Sequence, residues 1–321
     1  MTSKYWLQCH TLNLFLVVSL IVVPVESHAG LLERYRERQQ QTSGASQSHI
    51  QWDTERPESA PRTSTSEMRK LADVAYGSHP MQRMDVFLPA TAHNAPVIIM
   101  VHGGGWRRGD KSMRRRSPAK QEHYVEEKGY IYISINYRLA PEVTPLEEAD
   151  DVAAALAFVQ RMAPQWGADP DKIMLMGHSA GAHLVTLLAV DPDRAYRNRA
   201  RRWAGSIAID SGAMDVPSIM NRRHPSLYDK AFGEDPALWE AASPRHQVRP
   251  GGLPVLAICS STRADNPCEQ ARNLAETARQ HGVSVSVLPQ PLNHGKINSE
   301  LGKPGDYTSA VDAFIAKHVS R

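Results

Sequence analysis

Short apolar runs set the terms on which this chain folds. "APVIIMVHG", "YIYISINYR", "DKIMLMGHS", "WAGSIAIDS", "LPVLAICSS" and "VSVSVLPQ" follow one another between positions 95 and 290. Several are β-branched and apolar at consecutive positions, so both strand faces need cover, as in a parallel sheet. Helical patterns lie between them. "EEADDVAAALAFVQRMA" carries apolar residues at helical spacing and acids in its first turn, where the helix dipole favours them. "AGAHLVTLLAV", "CEQARNLAETARQHG" (closed by Gly282 as a cap) and "YTSAVDAFIAKHV" are further helices. Two earlier runs, "LADVAYG" and "QRMDVFLP", flank the turn-like "GSHP" and read as strands. Such alternation predicts a mostly parallel, twisted α/β sheet of about eight strands, with helices on both faces and right-handed crossovers. A hydrophobic fraction of 41% supplies the core for one such domain over residues 67–321, and no repeat or second core is visible.

The first 66 residues lack this texture. Lys4 precedes "LNLFLVVSLIVV", and Ser27 and Ala29 are small residues before an expected cut after Ala29. Residues 1–29 thus read as a secretory signal peptide. The twelve-residue apolar run is short for a membrane span, although an uncleaved anchor has the same pattern. Residues 30–66 are rich in Ser, Thr, Pro and Gln and read as a polar linker or N-terminal arm. Export to a secreted or periplasmic location leaves Cys259 and Cys268, an even pair in an oxidising compartment, and a disulfide between them is expected. A formal net charge of +3 is too mild to argue for nucleic acid. The run "RRGDKSMRRR" from Arg107 is a local exception: either a solvated basic face, or a rim that attracts anionic substrates or a membrane surface.

Two glycine-rich stretches sit at strand ends. Gly177-His178-Ser179-Ala180-Gly181 lies between a strand and a helix. Ser179 there is either a helix N-cap or a nucleophile on a tight elbow. "HGGGW", His102–Trp106, follows the strand "PVIIMV" and is either an ordinary strand-to-loop turn or a set of backbone N–H groups turned toward an oxyanion. No Gly-Lys-Ser/Thr ending marks it as a phosphate loop.

"HGGGW", "NYRLAPE" (Asn136–Glu142) and "GHSAG" together resemble the α/β-hydrolase superfamily, in particular the hormone-sensitive-lipase-like and feruloyl-esterase-like carboxylesterases. The likeness extends from about Leu71 to the C-terminus and makes 67–321 an α/β-hydrolase catalytic domain. It implies a chain order of nucleophile, acid, then base. Ser179 is the nucleophile. Fourteen histidines make a lone one uninformative, but His294 follows the last strand, where the base belongs. His102 belongs to the glycine loop, His281 ends a helix, and His178 is expected to point elsewhere. The acid expected by order is Asp265, with Asp210 and Asp215 as rivals one strand earlier. A bridge from Cys259 to Cys268 would clamp the Asp265 loop. Gly104, Gly105 and Ala180 are the expected oxyanion donors.

The expected reaction is cleavage of a small-molecule carboxylic ester, short-chain or aromatic, through an acyl-enzyme, with no cofactor and no metal. Trp106 either lines the substrate pocket or is core. Met214–Pro244 is long enough to cap the site. An arylformamidase-like amide hydrolase and a non-catalytic binding protein on the same scaffold are the other readings. No nucleic-acid partner and no membrane span after signal cleavage are expected.

Overall fold

The computed structural model describes residues 68–112 and 118–320. The signal and linker segments, and Arg114–Arg116 of the basic run, lie outside the described residues. Eight strands form one sheet in the order β1-β2-β4-β3-β5-β6-β7-β8. They are β1 (Arg69–Ala75), β2 (Arg83–Leu88), β3 (Ala95–Val101), β4 (Ile131–Ile135), β5 (Ala168–His178), β6 (Gly205–Ile209), β7 (Val255–Ser260) and β8 (Val285–Gln290). β2 is antiparallel to both of its neighbours, β1 and β4; every other pairing is parallel.

Two-faced burial explains the unbroken apolar runs. Val97, Ile99 and Val101 of β3 belong to one hydrophobic cluster, and Ile98 and Met100 to another. The same alternation divides β5, with Ile173 and Leu175 on one side and Met174 and Met176 on the other. The first cluster is covered by α1 (Pro145–Met162), α2 (Ala180–Val190) and α4 (Pro267–Gln280), through residues such as Val152, Leu184 and Leu274. The second is covered by α5 (Asp306–Val319) through Val311 and Ile315. α3 (Leu227–Phe232) is a short helix in the segment expected to cap the site.

Local chemistry sets the start of α1. The Thr144 side chain accepts from the Glu147 N–H while Glu147 reaches back to the Thr144 N–H, with Pro145 in the first turn. Parallel pairing then has one consequence for function. The C-terminal ends of β3, β5, β6, β7 and β8 all lie along one edge, so the loops after them meet there.

Candidate active site

Ser179 ends β5 and opens α2 with φ 56° and ψ −116°, far from both strand and helix. Its N–H donates to Ile209 O at 2.9 Å, and its own carbonyl accepts from His183 N–H at 3.1 Å. The flanking glycines are required by close approach. A Cβ on Gly177 would sit 2.2 Å from Gly181 O, and one on Gly181 would sit 2.2 Å from Val101 O. Ser179 does open a helix, but its side chain caps nothing.

His294, in the loop after β8, directs Nδ1 at the Oδ2 of Asp210, 2.6 Å away. Asp210 is fully buried at the end of β6 and has φ 57°. Its Oδ1 accepts from Ser260 N–H at 2.7 Å, and its Oδ2 also accepts from Arg263 Nη1 at 2.9 Å. Burial works against charge on Asp210, but the bonds from His294, Ser260 and Arg263 outweigh it and hold the carboxyl below its ordinary range.

The sequence-expected acid is elsewhere. Asp265 is paired with Arg263, through Nε at 2.9 Å and a second short contact from Nη2, and makes no hydrogen bond to His294. The physical reason lies in the loop after β7. Arg263 reaches inward from it to Asp210, and Asp265 follows the guanidinium on its outer side, 44% exposed. Asp215 is committed to a short helix, where it accepts from Ser218 N–H at 3.1 Å and pairs with Arg245 at 2.8 Å. The carboxylate on His294 is therefore that of Asp210.

Sequence reasoning passed over Arg263 entirely. Its Nη1 lies 3.0 Å from His294 Nδ1 because both groups donate to the same carboxylate oxygen. His178 also departs from expectation, since it does not point away. Its ring packs on that of His294 with centroids 4.6 Å apart, and its Nε2 donates to the His294 carbonyl at 3.0 Å. Burial, and then the neighbouring His294, push His178 down to about 3, so it remains neutral.

The glycine loop forms the opposite wall. Gly104 has φ 133°, and a Cβ there would fall 1.8 Å from Arg108 O, so only glycine closes this turn. The loop is braced by the second motif. Tyr137 stacks on His102 with centroids 4.5 Å apart and donates its hydroxyl to His102 O at 2.8 Å. The Ala140 N–H donates to Trp106 O at 2.9 Å. Trp106 is 3% exposed; its Nε1–H donates to His183 Nδ1 at 3.2 Å, and His183 Nε2–H donates to Ala242 O at 2.6 Å. Phe232 meets Trp106 edge-on with centroids 4.8 Å apart. Trp106 is thus mainly core, with an edge on an open cleft of about 750 Å³ that also holds Gly104, Gly105, Ser179, Asp210 and His294.

The expected bridge between Cys259 and Cys268 is present, with Cα atoms 5.1 Å apart. It joins the end of β7 to the start of α4 and closes the loop that carries both Arg263 and Asp265.

The chain is similar to curated and solved proteins of one kind. Carboxylesterase NlhH of Mycobacterium tuberculosis is 37% identical over 67% of this chain and 71% of its own length. Esterase LipC of the same species is 26% identical over 77% of this chain and 65% of its own length. A carbohydrate esterase from gut microbiota has the same fold, with a TM-score of 0.67 at 19% identity over 81% of this chain and 99% of that one. Against several other curated relatives the chain spans 50% to 54% of their length. The BD-FAE family profile matches residues 84–277, more than half of the sequence. The chain belongs to the BD-FAE family, among the hormone-sensitive-lipase-like α/β-hydrolases.

Proposed function

We propose that this protein is an exported carboxylic ester hydrolase that works through Ser179, His294 and Asp210. One observation carries the reading: a serine on a strained strand-to-helix elbow shares a cleft with a histidine whose Nδ1 is tied to a buried carboxylate. With Nδ1–H given to Asp210, Nε2 is left to take the proton of the Ser179 hydroxyl as Oγ attacks the ester carbonyl. Asp210 holds that tautomer and stabilises the imidazolium that forms. Gly104, Gly105 and Ala180 supply N–H groups to the developing oxyanion, each worth about 2.7–4 kcal/mol in comparable sites. His294 then protonates the leaving alcohol, and afterwards activates water to release the acyl group from Ser179. The open cleft, with no long apolar segment over it among the described residues, favours short-chain or aromatic esters.

The test is a panel of p-nitrophenyl esters of graded acyl length, run on protein secreted by an exporting host. The secreted chain is expected to begin at Gly30. A fluorophosphonate probe should label Ser179, and Ser179→Ala should lower kcat/KM by roughly 10⁴-fold or more. Full activity in Ser179→Ala would overturn the assignment.

A further inference from the structure

The cleft around Ser179 is lined by four cations, Arg107, Arg108, Lys230 and Arg263, and by one acid, Asp210. Asp210 is buried and its carboxylate is already taken by His294, Ser260 and Arg263. Arg263 is satisfied in turn by Asp210 and Asp265. The other three are not: among the described residues, no carboxylate is within ion-pair distance of Arg107, Arg108 or Lys230. All three are exposed, and they come from two elements. Arg107 and Arg108 belong to the glycine loop after β3, and Lys230 to α3, which packs on Trp106 through Phe232. Like charges converging on one mouth repel one another, and the apolar surface of Trp106, Leu227 and Tyr228 beside them does little to screen the field. An anion entering this cleft is attracted by these three unpaired cations, and a neutral ester gains nothing from their charge.

We propose that the preferred substrates are esters bearing an anionic group, a carboxylate or a phosphate, on a part of the molecule remote from the scissile carbonyl. The proposal rests on ester hydrolysis at Ser179 and specifies its substrate class. The reaction itself is unchanged: the acyl–oxygen bond breaks, water supplies the hydroxyl of the new acid, and the alcohol leaves with a proton. Arg107, Arg108 and Lys230 act on capture and orientation, so their effect belongs in kcat/KM.

Matched substrates test this. One pair is p-nitrophenyl hydrogen adipate and its terminal carboxamide, which carries the anion on the acyl side. The other is acetylated hydroxybenzoate and its benzamide counterpart, which carries it on the alcohol side. In the wild type, kcat/KM for the anion should exceed that for the amide in at least one pair, by about fivefold for each cation engaged. The ratio should fall in Lys230→Gln, fall further in Arg107→Gln/Arg108→Gln/Lys230→Gln, and shrink as ionic strength rises. Fluorophosphonate labelling of Ser179 in each variant reports an intact site. A ratio of one or less in both pairs, or a ratio that survives in the triple variant, overturns the proposal. If no member of either pair is hydrolysed in a Ser179-dependent way, the ester reading falls and this proposal falls with it.

Discussion

Asp210 and Asp265 are one guanidinium apart, and their chemistry differs because of what each touches. Asp210 is buried and holds His294 directly; Asp265 is partly exposed and holds only Arg263. Asp210→Asn keeps the shape but offers His294 an amide in place of a carboxylate, which no longer favours the imidazolium. A fall in kcat of about 10⁴-fold is expected, as for other triads of this geometry. Asp265→Asn removes one half-exposed ion pair and should cost less than about tenfold. Steady-state kinetics on both variants decide the matter, and a larger loss at Asp265 would reverse the assignment. Arg263→Gln is the informative third substitution, since it leaves Asp210 with His294 and Ser260 but without a fixed cation.

At the level of elements, the disulfide closes a loop of nine residues' separation around the Arg263 side chain. Its contribution to stability is about 2–3 kcal/mol in the chain-entropy view. A Cys259→Ser/Cys268→Ser variant should therefore melt lower by thermal denaturation and lose activity, because Arg263 is then free to let the Asp210 carboxylate turn. Unchanged kcat in a folded double variant would show that the loop holds Arg263 without the bridge. The strands and long helices were legible in the sequence for a simple reason. Apolar runs and helical spacing of apolar residues are local signals, and all eight expected strands form where the runs lie. The acid was not legible to the same degree. Asp210 and Asp265 each follow a parallel strand, and chain order alone favours the later one. What separates them is the inward reach of Arg263, a contact across 53 residues that no local pattern encodes. The contact of His178 is hidden from local pattern in the same way, since its partner lies in the loop after another strand.

For the molecule as a whole, buried titratable groups set the response to pH. Burial pushes His102 and His183 down to about 4 and, with the adjacent His294, His178 down to about 3. Each has an ordinary value of about 6.5 when unfolded, so over this window the unfolded chain binds more protons. Stability from these groups is complete above about pH 6.5 and is lost as pH falls toward 4. Glu148 acts in the opposite sense: burial raises it to about 9, so its contribution declines as pH rises from about 4.5. Three groups against one leave the acid loss dominant, and from about pH 7 upward Lys120, which burial pushes down to about 7 from its ordinary 10.5, offsets the decline from Glu148. Denaturant midpoints should rise from pH 4 to about 6.5 and change little from there to pH 9, and a midpoint that holds constant down to pH 4 would contradict the burial of these histidines.

The parallel sheet also dictates when chemistry first becomes available to a growing chain. The elbow forms from β5 and α2, but His294, the base in the proposed triad, lies beyond β8, and His178 meets His294 across 116 residues. On the proposed assignment, synthesis therefore yields the nucleophile long before its base. Such long-range closure is slow relative to local helix formation. On the proposed triad, hydrolysis is expected only once the last strand has docked, so the onset of turnover during refolding should coincide with completion of the sheet.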